Sequence, residues 1–473
     1  MSRSAETRGG TGFTYQNVVV ASYLAAALAE AAAPATGGRV VFRVGQQQDA
    51  FGEPLDDVVV DCRSSQETEA RLSLQVTRSL TVSRAPSNDK FRRVIHACWD
   101  TLSKPDFREG VDRFGCVVDD IAKQSARALQ TLCEMARGSL DAGHFDSRFD
   151  GSERVSKDVR RIKEDIAALL EERLGTVCSP APLHRFLGHF VLVRFDYLHE
   201  GTTQLPACVN LLRTVLADSH TGQASLVWNH LCQLASQTAG TSDQFDRTRL
   251  VRSISPEFRL RGARSLAQDL RLLTAVAFES VRAIEDDVGG ARLERESLDE
   301  ALDEALRSAR YVQIRGLAGV GKSALLRRWV ERALKAGPVL FLKSDRLKGF
   351  GWRSFANSIG LSAADLTELL VEVEAVGSNT LFIDGIDRVS KEHQPIVQDI
   401  VRTVLESPSL SQWRIVVTLR DAGIEPLRNW LPTSLLSSGV GHVHVGMLDD
   451  AECRILAVAM PRLEPLLFGE WRI

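Results

Sequence analysis

Several shortages in this chain each remove a class of protein. Its eight cysteines are scattered between Cys62 and Cys453, with no C-x-x-C pair and no Cys/His cluster. That excludes a disulfide framework or a zinc module and leaves reduced thiols. No excess of one charge exists either, because the net charge over 473 residues is −3. Bulk charge therefore does not advertise nucleic-acid binding. Lysine is scarce, supplying 10 of the 58 basic residues, and that bias assigns no function. Long hydrophobic runs are missing too. The longest, Val18 to Ala33, is Ala-rich, interrupted by Ser22 and Glu30, and stopped by Pro34. It is short of the ~20 strongly apolar residues of a membrane span, and the turn-rich Tyr15-Gln16-Asn17 before it is no signal-peptide flank. The expectation is a buried helix in a cytoplasmic protein with no membrane partner.

What is present is an ordinary globular composition, 44% hydrophobic and 25% charged, enough for about three domains at ~150 residues each. Residues 1–110 read as a helix over about 15–33, strands at Val40–Val44, Asp57–Asp61 and Leu72–Val76, and a helix over Phe91–Leu102. That is a small α/β unit. Residues 111–284 read as helical by period, with Val117–Ala136, Val159–Leu174, Leu211–Ala217, Ala224–Ser236 and Ser265–Ile284 as segments. They suit a linker, an autoinhibitory spacer or an oligomer platform. Residues 285–473 alternate strand and helix, with strands at Tyr311–Ile314, Val339–Leu342, Thr380–Ile383, Ile415–Thr418 and, more weakly, His442–Val445. This is the pattern of a parallel sheet wound on both faces.

The strongest motif is Gly316-Leu317-Ala318-Gly319-Val320-Gly321-Lys322-Ser323, a complete G-x-x-x-x-G-K-[ST] loop. Gly316, Gly319 and Gly321 let backbone N–H groups curl round an anion. Lys322 brings a point charge to the β- and γ-phosphates, and the Ser323 hydroxyl is a Mg²⁺ ligand. The apolar strand before it and the helix after it stand in the required order, with the positive helix end aimed at the phosphates. About sixty residues on, Leu381-Phe382-Ile383-Asp384-Gly385-Ile386-Asp387 has the Walker B form. Asp384 would hold the Mg²⁺ shell. Asp387 would polarise the attacking water or orient a metal ligand. At the tip of the next strand, Thr418 would hydrogen-bond the γ-phosphate and Arg420 would pair with its charge. The expected ligands are therefore a nucleotide phosphate and Mg²⁺.

The D-G-h-D form together with h-h-h-T-x-R resembles the STAND class of signal-transduction ATPases, NACHT and NB-ARC modules among them. The resemblance covers roughly 285–460 and implies ATP or ADP as the nucleotide. It implies that the segment from Ile284 to Arg295 is the linker before the loop, covering the adenine. Arg388 stands where NACHT modules often carry an acid, which implies slow hydrolysis. The run Met447 to Glu452 looks like the start of the helical lid of such modules. The remaining lid, winged-helix region and repeat sensor would be expected next, so the chain reads as a C-terminally truncated fragment or as one that shares sensing with a partner chain.

At the other end, Gly12-Phe13-Thr14-Tyr15-Gln16, Asp56-Asp57-Val58 and Leu74-Gln75-Val76-Thr77 form a series. It resembles the PD-(D/E)xK effector nucleases at the N-termini of bacterial antiviral STAND and CBASS proteins, a restriction-endonuclease-like fold. The resemblance implies Asp57 and Gln75 as Mg²⁺ ligands and catalytic residues. Thr77 occupies the place of the expected Lys, Arg78 points to the opposite face if the strand continues, and Lys90 on the next helix is a candidate substitute. Two readings stay open. In one, an anti-phage ATPase oligomerises with ATP on meeting a phage-protein trigger and activates an endonuclease on double-stranded DNA. In the other, the N-terminal domain is a non-catalytic binding or scaffolding module.

Overall fold

Thr14 starts the first helix by accepting the Asn17 N–H on its hydroxyl at 3.3 Å, a side-chain N-cap. In this computed structural model, residues 14–150, 155–197, 201–254, 257–363, 365–437 and 439–468 are described. Gly12 and Phe13 lie outside the described residues. Helix α1 (Tyr15–Leu28) is buried at every position from Asn17 to Leu28. That suits a helix apolar on all sides, which has no face for solvent. It stops short of residue 33 because the chain turns back: Glu30 takes a φ of 46°, and Ala32 bridges to Val40.

Three antiparallel strands follow, β1 (Val40–Gln46), β2 (Val58–Arg63) and β3 (Glu69–Ser79). Helix α2 (Asp89–Leu102) then returns the chain to β4 (Arg113–Asp120), which runs parallel to β3. With β5 (Phe190–Arg194) and β6 (Gln244–Asp246) they make a six-stranded sheet in the order β5-β4-β3-β2-β1-β6. These last three strands fall in the stretch expected to be a helical spacer, and Val117 sits within β4 rather than opening a helix. The reason is burial: every β4 residue from Phe114 to Asp119 is buried. A strand covered on both faces shows a continuous apolar run, which periodicity cannot tell from a buried helix. Helices α3 (Lys123–Arg137) and α4 (Lys157–Leu174) share one core with Phe91, Ile95, Phe114 and Cys116, while α5 (Ala224–Gln237) packs on α1. This first compact unit therefore reaches Phe258 instead of ending at residue 110. All eight cysteines are free, and burial pushes the Cys116 thiol up to about 12.

The second unit begins at Arg259. Its sheet joins β7 (Tyr311–Arg315), β8 (Leu340–Lys343), β9 (Thr380–Asp384), β10 (Arg414–Thr418) and β11 (Val440–His444) in the order β8-β9-β10-β7-β11, all parallel. All of β9 is buried, as parallel sheets require. Helix α6 (Ala267–Arg282), expected in the spacer, belongs here: Ala277, Val281 and Ile284 share a core with Val312, Ile314 and Leu326. Helices α7 (Glu296–Ser308), α8 (Lys322–Ala336), α9 (Leu366–Val376), α10 (Gln394–Glu406) and α11 (Asp450–Ala459) also belong to this unit. No described helix is long and apolar enough to cross a membrane.

Gly115 in β4 shows how tightly the first sheet is built. A Cβ there would lie 1.8 Å from the Val191 carbonyl oxygen of β5, a backbone atom that no rotamer change can move. Gly115→Ala should cost about 1–3 kcal/mol in urea unfolding. Gly188→Ala, in the helix Pro180–His189 where a Cβ meets nothing, should leave stability unchanged or raise it by up to about 1 kcal/mol.

Candidate functional site

The strand–loop–helix around residues 316–323 forms as its sequence requires. β7 ends at Arg315, and the loop turns through Gly316, Gly319 and Gly321 at φ 149°, 84° and 95°. Gly321 is the left-handed N-cap of α8, and a Cβ on Gly316 would lie 2.4 Å from the Val445 carbonyl oxygen. Both positions thus demand glycine. Lys322 donates from Nζ to the Gly316 carbonyl at 2.9 Å and also to that of Leu317. Burial lowers its pKa, opposed by the nearby acids Asp387 and Asp421.

Order in the sheet decides what meets the loop. Because β10 lies between β7 and β9, Thr418 at its tip stands beside Asp384. The Thr418 hydroxyl donates to Asp384 Oδ1 at 2.7 Å and accepts the Gly385 N–H at 2.7 Å. Ser323 Oγ donates to the same Oδ1 at 2.7 Å. Thr418, expected at the γ-phosphate, is thus engaged in holding Asp384, and both are almost fully buried. Asp384 and Ser323 come together as two hard oxygen donors at a helix start, and this donor set fits a Mg²⁺ shell. Asp387 and Arg420 are brought together as well: Arg420 Nε donates to Asp387 Oδ2 at 2.7 Å. Arg388 stands 3.9 Å from Asp384 Oδ2. Gly385 has φ 68°, which explains the glycine between the two acids.

The sequence places Arg295 at the end of the linker and Glu452 in the start of the lid, but assigns neither an individual role. Arg295 donates to the Val320 carbonyl in the loop at 3.0 Å and to Glu452 Oε2 at 2.9 Å. The only local signal was Asp449 three residues before Glu452, the capping box that starts α11.

The N-terminal cluster also assembles, within the first unit. The turn before β2 brings Asp57 beside β3. Asp57 Oδ2 accepts the Val76 backbone N–H at 2.7 Å and the Gln75 Nε2 group, and Oδ1 accepts Gln16 Nε2 at 3.2 Å. Gln16 was noted only as part of a series, yet it is a direct partner. Burial pushes Asp57 up to about 6, with Asp56 adding to the rise and the three N–H donors opposing it. Thr77 turns its hydroxyl to the Ser79 carbonyl at 3.2 Å. Arg78 is exposed, 4.0 Å from Asp119, and Lys90 lies exposed on the first turn of α2. In this arrangement N–H groups face both carboxylate oxygens of Asp57, so a cation there would need the Gln75 and Gln16 amides turned to present their oxygens. Among the described residues no group of three or more His, Cys, Asp or Glu could hold a metal ion.

No protein-family model matches the chain, and no curated protein does. Among solved structures, the Acinetobacter baumannii Cap4 SAVED/CARF-domain receptor with 3'3'3'-cAAA is similar at 12% identity. It covers 87% of this chain and 72% of its own, with a TM-score of 0.30. The Moraxella osloensis Cap4 receptor is similar at 14% identity, over 86% and 70%, with a TM-score of 0.31. A closed-state reconstruction of Hsp104 with a nucleotide analogue and casein gives 10% identity, 85% and 74%, and 0.27. At such identities and TM-scores these likenesses carry no argument about activity.

The raised Asp57 sets a pH window. Between its unfolded pKa and about 6, the folded state keeps a proton that the unfolded chain has lost. Wild-type stability should therefore fall between about pH 4 and 7, relative to Asp57→Asn, by about 1–3 kcal/mol. Urea midpoints of both proteins across that range check this, and parallel pH profiles would refute it.

Proposed function

We propose that the second unit is an ATP-binding switch of the STAND type and that the chain serves signalling in bacterial anti-phage defence. One observation carries the reading: the loop serine, the strand-tip aspartate and the neighbouring threonine meet in one hydrogen-bonded group, Ser323–Asp384–Thr418. A nucleotide phosphate at this loop would meet the N–H groups of the α8 start, and Lys322 would leave the loop carbonyls for it. Ser323 and Asp384 would hold Mg²⁺, which screens phosphate charge when bound. The Arg420–Asp387 ion pair keeps the candidate water-orienting acid occupied. Together with Arg388 at the position of an expected acid, this favours slow turnover and use of the nucleotide as a conformational clamp. Nucleotide-controlled homo-oligomerisation, with a phage protein or separate sensor chain as trigger, is the mode of action the resemblance implies.

For the first unit, the α1-β1-β2-β3-α2-β4 order with Asp57 beside Gln75 supports the PD-(D/E)xK architecture. The hydrogen-bonded state of Asp57 and the absence of a lysine at residue 77 favour a non-catalytic module that binds double-stranded DNA or another partner. The competing reading is a DNA endonuclease released by the switch.

Two measurements follow. A fluorescent ATP analogue should bind wild type with Mg²⁺ and bind Lys322→Ala at least about tenfold more weakly, a loss of ~1.4 kcal/mol or more; equal binding removes the loop's assignment. Plasmid incubated with Mg²⁺ or Mn²⁺ should remain intact with wild type and with Asp57→Ala, with or without ATP. Cutting by wild type that Asp57→Ala abolishes would establish the nuclease instead, and a gain in Thr77→Lys would mark a degenerate site.

A further inference from the structure

Arg295 closes the segment between α6 and α7, and that segment is strapped to α8. Arg327 pairs with Asp286 at 3.0 Å and donates to the Ile284 carbonyl. Arg328 donates to the Leu293 carbonyl at 3.0 Å. At the end of the strap the Arg295 guanidinium meets three separate stretches of chain. It reaches the Val320 carbonyl inside the phosphate loop at 3.0 Å, the Gly446 carbonyl after β11 at 3.4 Å, and both carboxylate oxygens of Glu452 in the first turn of α11. The ion pair is partly buried, with side chains 12% and 14% exposed. Glu452 also accepts the Asp449 N–H at 2.8 Å, and Arg295 lowers its pKa. A second contact lies nearby: a Cβ on Gly289 would lie 2.0 Å from Met460 Sδ, just past α11.

We propose that Arg295 is a positioning residue that couples the phosphate loop to helix α11. Only a planar fork of N–H groups satisfies a carboxylate bidentately and a carbonyl at once. If Val320 shifts, the guanidinium is drawn with it, and Glu452 then loses its bidentate partner in a partly buried position, which costs more than losing a surface pair. Loop and helix therefore move together or not at all, and two discrete arrangements replace a graded response. The proposal rests on the nucleotide reading of residues 316–323 for its purpose: what occupies the loop is reported to α11. The contact itself does not depend on that reading.

Hydrogen exchange on the full chain separates the two. Without nucleotide, Glu452→Gln and Arg295→Lys should each speed exchange of peptides covering both 316–323 and 450–459 by about fivefold or more. Arg307→Ala, which breaks only an exposed pair with Glu304, should leave both unchanged. With ATP and Mg²⁺, wild type should gain protection in both peptides, whereas Arg295→Lys should gain it in the loop alone. Unchanged loop exchange in both variants without nucleotide, or joint protection by ATP in Arg295→Lys, overturns the coupling. If wild type shows no ATP effect at all, the nucleotide reading fails while the nucleotide-free comparison still decides the role of Arg295.

Discussion

Asp384 sits at the end of a strand with no exposed residue, and a carboxylate so placed requires hydrogen-bond donors. Those donors dictate the local architecture of the second unit. Ser323 must reach it from the first turn of α8, so the helix must begin where the loop releases it, at a left-handed Gly321. Thr418 must reach it from β10, so β10 must lie between the loop strand and the acid's own strand. Gly385 must then turn at once, with φ 68°, so that its N–H meets the threonine hydroxyl. One buried acid thereby ties two strand tips, a loop and a helix start to a common point.

The contrast with Asp57 is instructive because both acids stand at strand tips and both are largely withdrawn from water. Around Asp384 the nearest side-chain donors are hydroxyls, whose oxygens are themselves ligands for a hard cation. A proton-sharing group of this kind can become a metal shell with little rearrangement. Around Asp57 the donors are N–H groups. Gln75 and Gln16 could present their amide oxygens by rotation, but the Val76 donor is backbone and fixed by the pairing of β3. Similar placement in two folds therefore leads to opposite expectations about cations, and the difference lies in the donor atoms rather than in the acids.

Legibility followed the range of the interactions. The loop at 316–323, the tip of β9 and the tip of β10 were readable because each is a contiguous run whose residue types have a local duty. The strands of the second unit were also readable, as short apolar runs separated by helical periods. β4 was not, because burial on both faces erased its alternation, and β6 is only three residues long. The extent of the first unit is hidden for the same reason, since three strands of its sheet lie in a stretch that reads as helices. Gln16 was visible as a letter in a series, but its bond to Asp57 spans 41 residues and depends on α1 lying against the sheet.

The Arg295–Glu452 contact marks the limit of such reading, because its partners are 157 residues apart and lie in two segments, the linker and the start of the lid, that no local pattern joins. Each residue alone is unremarkable: an arginine before a helix, a glutamate in a capping box. The cap nevertheless constrains the ion pair. Glu452 is held in the first turn of α11 by Asp449, so its carboxylate cannot follow Arg295 unless the helix start moves with it. A surface pair with two free side chains would absorb a loop shift by rotating. Here one partner is fixed to a helix end and the other to a loop carbonyl, so displacement at the loop must appear at the helix.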